Sequence, residues 1–215
     1  MHAHIEIVMP PTEDVEKSVA EIMAQFDENA DDEDLSKYAF WDWYQIGGRW
    51  SGAKMTAKLG LERVKKFNDE LVGLGVTVSS MRAGKEELAP ASQIPLVDTL
   101  WHERFPDSPV LQCPLFRHYE GDAMDVLPLK DAPLDMKCER VIIAGMNYSG
   151  DAIKAKYMVT DSLYNGATWQ DTNWDGTLKS ALDGFADKCK NYKQEWVDEH
   201  TPKDDWLVVT VDYHS

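Results

Sequence analysis

One short stretch gathers residue types able to recognise a flat, anionic ligand. Phe40-Trp41-Asp42-Trp43-Tyr44-Gln45-Ile46-Gly47-Gly48-Arg49-Trp50-Ser51-Gly52 holds five aromatics, two adjacent glycines and one arginine. Gly47-Gly48 frees the backbone for close approach to a partner, and successive amides in such a turn can form a concave anion site. Arg49 can hold a phosphate or carboxylate through two parallel hydrogen bonds. Trp41, Trp43, Tyr44 or Trp50 can stack on a base or another flat ring. With Asp42, these residues have the chemistry of a site for a nucleotide-like or phosphorylated small molecule, one that needs no cofactor. The competing reading is a tight aromatic turn whose arginine pairs with Asp42 and stacks on tryptophan. No GxxxxGK[ST] run occurs, so the glycines are not a P-loop.

A second constellation uses residues far apart in the chain. His2 and His4 alternate on one side of an expected first strand, and Asp212 and His214 on one side of an expected last strand. If those strands are antiparallel neighbours, the four side chains converge. They could then ligate a metal or exchange protons, as in a metal-dependent phosphoester hydrolase. The competing reading is a set of ordinary surface histidines. The paired HxT or HxS motifs of two-histidine phosphodiesterases are missing.

Other candidates carry less. Trp101-His102-Glu103 and Arg117-His118-Tyr119-Glu120 could border a pocket but read more simply as loop residues. Ser149-Gly150-Asp151 lacks the GxSxG setting of a serine hydrolase. Trp169, Asn173 and Trp174 fit hairpin-to-helix packing as well as an aromatic face.

The string Asp42-Trp43-Tyr44-Gln45-Ile46-Gly47-Gly48-Arg49-Trp50, with a strand ending near Asp212-Tyr213-His214, resembles a family of bacterial and phage proteins. The resemblance covers a small part of the chain and brings no activity with it. It implies a phage setting, in which a counter-defence protein would interfere with a host enzyme or sequester a signal nucleotide.

Composition narrows the classes. Hydrophobic residues make up 43% and charged residues 28% of the 215, which suits a folded core. The net charge of −16 lacks the basic face that phosphate neutralisation needs, so direct nucleic-acid binding is not expected. Anionic membranes are disfavoured for the same reason. An acidic inhibitor that mimics nucleic acid to occupy a basic host partner stays open. Cys113, Cys138 and Cys189 are widely spaced and contain no CxxC, so they read as core thiols in a reducing compartment. The start lacks the basic and apolar regions of a signal peptide, and no apolar run reaches the ~20 residues of a membrane span. A cytoplasmic protein is expected, and a homo-oligomer is compatible with this.

Several elements must position these groups. Ile5 to Met9 reads as a strand, followed by a helix capped by Thr12 with Val15, Val19, Ile22, Met23 and Phe26 on one face. The acidic run from Asp27 to Asp34 is a solvated loop. Leu61, Val64, Phe67, Leu71 and Val72 mark a second helix closed by Gly75, before a strand at Val76-Thr77-Val78. Residues 80–135 are rich in proline and read as an irregular excursion within a single domain of 1–215, with a short helix around Val97, Leu100, Trp101 and Arg104. Val141 to Gly145 is a buried strand. Tyr157 to Thr160 and Ala167 to Gln170 form a hairpin turning near Asn165-Gly166. After Asp175 one stripe joins Leu178, Leu182, Phe185, Cys189, Tyr192 and Trp196, and Trp206 to Tyr213 is the last strand. Element order predicts an α+β fold, helices on a mainly antiparallel sheet, with a ferredoxin-like core carrying a large middle insertion.

Overall fold

The structure, a computed structural model, describes residues 2–30, 39–76, 80–82, 85–87, 91–107, 124–144, 157–161, 175–190 and 193–214. The chain divides into two compact units, one of Met1–Trp50 with Val126–Ser215 and one of Ser51–Asp125. The stretch expected to be a single excursion is therefore divided: residues up to Asp125 belong to the second unit, and those from Val126 return to the first.

The first unit is α+β. Its strands are β1 (His2–Met9), β2 (Trp43–Ile46), β5 (Val126–Pro128), β6 (Arg140–Ala144), β7 (Tyr157–Asp161) and β8 (Leu207–His214). The sheet runs β2-β8-β1-β6-β7, and β5 also pairs with β8. Among the described strands of this sheet all pairings are antiparallel except that of β1 with β6. That exception separates the fold from the expected ferredoxin-like core. There the βαβ unit is split by an intervening strand. Here Ile5 pairs with Arg140 and Ile7 with Ile142 directly, and β7 lies outboard of β6.

Side-chain alternation sorts β1 and β8 onto two faces. On the first face Ile5, Ile7, Val209, Val211 and Tyr213 pack under helix α1 (Val15–Met23) through its Val19, Ile22 and Met23, with Phe26 and Phe40 alongside. Asp14, not Thr12, caps α1: its carboxylate accepts the Lys17 N–H at 3.0 Å, while Thr12 Oγ1 accepts the Asp14 N–H. Arg140 is also buried on this face, with its guanidinium 3.4 Å above the centre of the Phe40 ring.

The second face is divided along the strands. Its apolar half, Val8, Val141, Ile143 and Val208, packs against Leu178, Ala181, Phe185 and Cys189 of helix α5 (Leu178–Cys189). Burial pushes the Cys189 thiol above its ordinary range, as expected of a core cysteine. Thr177 caps α5. Asp175 accepts hydrogen bonds from both the N–H and the hydroxyl of Thr177, and these hold its carboxyl below the ordinary range. The single stripe expected to run on to Trp196 is broken. Lys193 takes an extended conformation, and a separate helix α6 (Gln194–His200) starts there.

The second unit holds α2 (Ala53–Leu59), α3 (Leu61–Gly73), a hairpin of β3 (Ser80–Arg82) and β4 (Lys85–Glu87), and α4 (Ile94–Arg104). Its core joins Met55, Val64, Phe67, Leu71, Val76, Val97, Trp101 and Phe105. Leu61 and Val72, expected on the buried face of α3, are exposed. After α3, Gly75 has φ of +78° and donates to Val72 O, while Val76 N–H reaches back to Leu71 O. This six-to-one and five-to-two pair is a Schellman stop, and it buries Val76 against Leu71. Val76 lies outside any strand; Thr77 and Val78 lie outside the described residues. No helix among the described residues is long and apolar enough to cross a membrane.

Candidate functional site

The other half of the second sheet face is polar. In register across β1 and β8 stand His2 with His214, His4 with Asp212, and Glu6 with Thr210. β2 adds Trp43 opposite His214 and Gln45 opposite Asp212. His4 is 2% exposed, Glu6 0% and Asp212 1%, so ionisable groups sit where the opposite face holds isoleucine and valine. Burying such groups is costly unless each is hydrogen-bonded.

The bonds are present. Glu6 Oε1 lies 2.7 Å from His4 Nε2 and accepts the Thr210 hydroxyl at 2.8 Å. His4 also donates its backbone N–H to Glu139 Oε2. Asp212 Oδ1 lies 3.0 Å from His2 Nδ1, and Asp212 Oδ2 accepts the Arg49 backbone N–H at 3.0 Å. Further out, Asp42 Oδ1 lies 2.8 Å from His214 Nδ1. An ionised carboxylate accepts and cannot donate, so a histidine facing one presents a protonated nitrogen to it. The expected convergence of His2, His4, Asp212 and His214 is thus realised, but as carboxylate–imidazole pairs. Among the described residues no three His, Cys, Asp or Glu side chains are arranged to hold a metal ion.

The aromatic segment is distributed over both faces. Trp41 and Tyr44 turn to the first face, edge to face at 4.9 Å, and Trp41 Nε1 donates to Met23 O. Both are structural there, and burial raises the Tyr44 hydroxyl above its ordinary range. Trp43 is 44% exposed beside His2, with ring centres 5.6 Å apart. Trp50 lies flat on His4, at 4.9 Å and 12°. Its indole Nε1 is shielded from solvent and has no hydrogen-bond partner among the described residues. The side chain of Arg49 is exposed.

The Gly47-Gly48 turn does hold an anion, but the anion belongs to the protein. Gly47 N–H donates to Thr210 O, continuing the β2–β8 ladder by one residue. Gly48, with φ of +54°, lies so close to β8 that an added Cβ would stand 2.7 Å from Asp212 Oδ2 and closer still to Asp212 Cβ. The turn thereby delivers the Arg49 amide to the Asp212 carboxylate.

Glu6 and Thr210 continue the two alternating series inward by one step, and sequence reasoning stopped short of them. That alternation was the signal that could have found them. The segments 108–123 and 162–174, with Arg117-His118-Tyr119-Glu120, Trp169, Asn173 and Trp174, lie outside the described residues, as does Ser149-Gly150-Asp151. His102 and Glu103 are exposed on α4 in the second unit.

The outermost pair makes a pH prediction. The His214 hydrogen bond, and next its charge, hold the Asp42 carboxyl below the ordinary range. A carboxyl depressed in the folded chain adds stability above its unfolded value of ~3.9, and that stability is lost as pH falls through the folded value. Wild type and Asp42→Ala should therefore differ slightly in melting temperature near ~pH 5 and converge as pH falls through the folded value. Melting curves that keep a constant offset across this range would exclude the pair as the cause.

No family model matches the chain, and no curated protein or solved structure matches it.

Proposed function

We propose that the protein binds a nucleotide-like or phosphorylated small molecule at the polar end of the second sheet face. One observation carries the reading. A sheet face that is apolar under α5 becomes, within two strand residues, a hydrogen-bonded set of buried ionisable groups capped by exposed rings. Folding alone gains nothing from that exchange, since apolar residues of similar volume would pack there at less cost. Clusters of this kind concentrate at functional sites. The shielded indole donor of Trp50 is a second supporting feature. The ligand surface is the rim of His2, Trp43 and His214, and Arg49, exposed and with its backbone N–H on Asp212, is the cation that would serve it. The Arg49 guanidinium suits a phosphate, and Trp43 suits a flat ring. The motif resemblance is compatible with sequestration of a signal nucleotide.

Calorimetry against a panel of nucleotides and phosphorylated metabolites tests this. Arg49→Ala should weaken binding by about ten- to a hundred-fold, the loss of one charge-assisted hydrogen bond at ~1.5–3 kcal/mol. Arg49→Lys should restore only part, because lysine lacks the planar fork. Trp43→Ala should cost a similar ~1–3 kcal/mol of binding and little stability. Trp50→Ala should act mainly on stability, because its ring already lies on His4. Wild-type protein that binds nothing in the panel would remove the reading.

A further inference from the structure

We propose that His2 and His214 form a general acid–base pair that cleaves the phosphodiester bond of a small nucleotide. The inference rests on the binding reading above and adds a reaction at the same site.

The geometry is a pair of matching dyads. His2 Nδ1 is committed to Asp212 at 3.0 Å and His214 Nδ1 to Asp42 at 2.8 Å. A carboxylate on Nδ1 fixes the tautomer, so Nε2 accepts a proton when the ring is neutral and donates one when it is charged. Among the described residues neither Nε2 has a hydrogen-bond partner. The His2 and His214 side chains keep 27% and 42% of their surface exposed. Their ring centres are 5.3 Å apart and their planes meet at 65°.

His2 is also held from its other neighbours. The Trp43 ring meets it edge to face. Its carboxylate partner is buried, and the Arg49 amide and the close approach of Gly48 fix that partner in place. Histidines needed only for solubility would not require a buried carboxylate and a glycine turn to orient one of them. Fixed orientation is what proton transfer in a transition state demands.

Two adjacent imidazoles in opposite protonation states match phosphodiester cleavage, where a proton leaves the incoming hydroxyl and another reaches the departing oxygen. Neither ring is hydrogen-bonded to a serine, threonine or cysteine among the described residues, so the nucleophile is water or a hydroxyl of the ligand itself. The step balances without a redox partner. One neutral Nε2 takes a proton from water as the water oxygen bonds to phosphorus. The bond from phosphorus to the leaving oxygen breaks, its electron pair stays on that oxygen, and the second ring supplies the proton from Nε2–H. The products are a phosphomonoester and an alcohol, and solvent returns the proton between the rings. The net charge of −16 points to a small substrate rather than a polymer.

The experiment incubates the whole chain with 2′,3′-cyclic and 3′,5′-cyclic nucleoside monophosphates and a dinucleotide, in EDTA, and follows products by phosphorus NMR. Phosphomonoester should appear with a bell-shaped pH dependence. His2→Asn and His214→Asn should each slow it by about a hundred- to ten-thousand-fold, and the loss should persist in kcat at saturating nucleotide. Asp42→Asn, an exposed positioning change, should lower kcat with KM held and alter the pH profile. Binding without product at any pH overturns the acid–base pair and leaves the binding reading intact. Absence of both overturns both. Product that ceases in EDTA, or that survives in the double histidine variant, also overturns the pair.

Discussion

Gly48→Ala should destabilise the protein by about 2–5 kcal/mol, whereas Gly75→Ala should cost only about 1–2 kcal/mol. Both glycines have positive φ, +54° and +78°, so both substitutions pay the left-handed backbone strain of roughly 1–2 kcal/mol. They differ in what the new methyl meets. At Gly75 it meets nothing within 4 Å among the described residues. At Gly48 it meets Asp212 at its Cβ and carboxylate, in a strand whose neighbours on both sides are hydrogen-bonded. Relief would require Asp212 to leave His2 or the Arg49 amide, and forced overpacking adds roughly 1–3 kcal/mol. Urea melts of the two variants decide this. Equal losses would mean that the close approach relaxes freely and that the turn does not fix Asp212.

Phe185→Ala should cost about 3–5 kcal/mol, the usual result of emptying a buried aromatic position. Phe185 is 1% exposed and shares a cluster with Val8, Val141, Ile143 and Val208 of the sheet. Those residues sit on hydrogen-bonded strands and cannot move in to fill the space, so the cavity term adds to the lost transfer energy. A loss below about 1 kcal/mol, typical of a generic point change, would mean that α5 is not seated on the sheet as described.

The contrast between these sites explains what the sequence made legible. Phe185 was readable because helical spacing is local: Leu178, Phe185 and Cys189 announce one face whatever lies beneath. The same periodicity overran at Trp196, since a break at Lys193 is a backbone event that side-chain spacing does not record. β2 was hidden because it has four residues and is flanked by the aromatic and glycine signals that suggested a turn. The anion site at Gly47-Gly48 was anticipated, but its occupant is 163 residues away from the Arg49 amide, and no local pattern reports such a partner. His2, His4, Asp212 and His214 were found because two period-two series needed only one assumption, that β1 and β8 pair. The outboard position of β7 had no such cue, because strand order depends on long-range pairing.

β8 lies between β1 on one side and β2 and β5, end to end, on the other, and it follows all three in chain order. On the ribosome this imposes a timetable. The unit Ser51–Asp125 is one continuous stretch whose hydrophobic cluster is fully synthesised by Met124. The first sheet, by contrast, has no link between β1 and β2 until Leu207–His214 is made. Until then the paired-to-be edge of β1 carries Ile5 and Ile7 without its neighbour. Unpaired strand edges of this kind invite wrong partners, and mutual repulsion among strongly acidic chains keeps them apart during the wait.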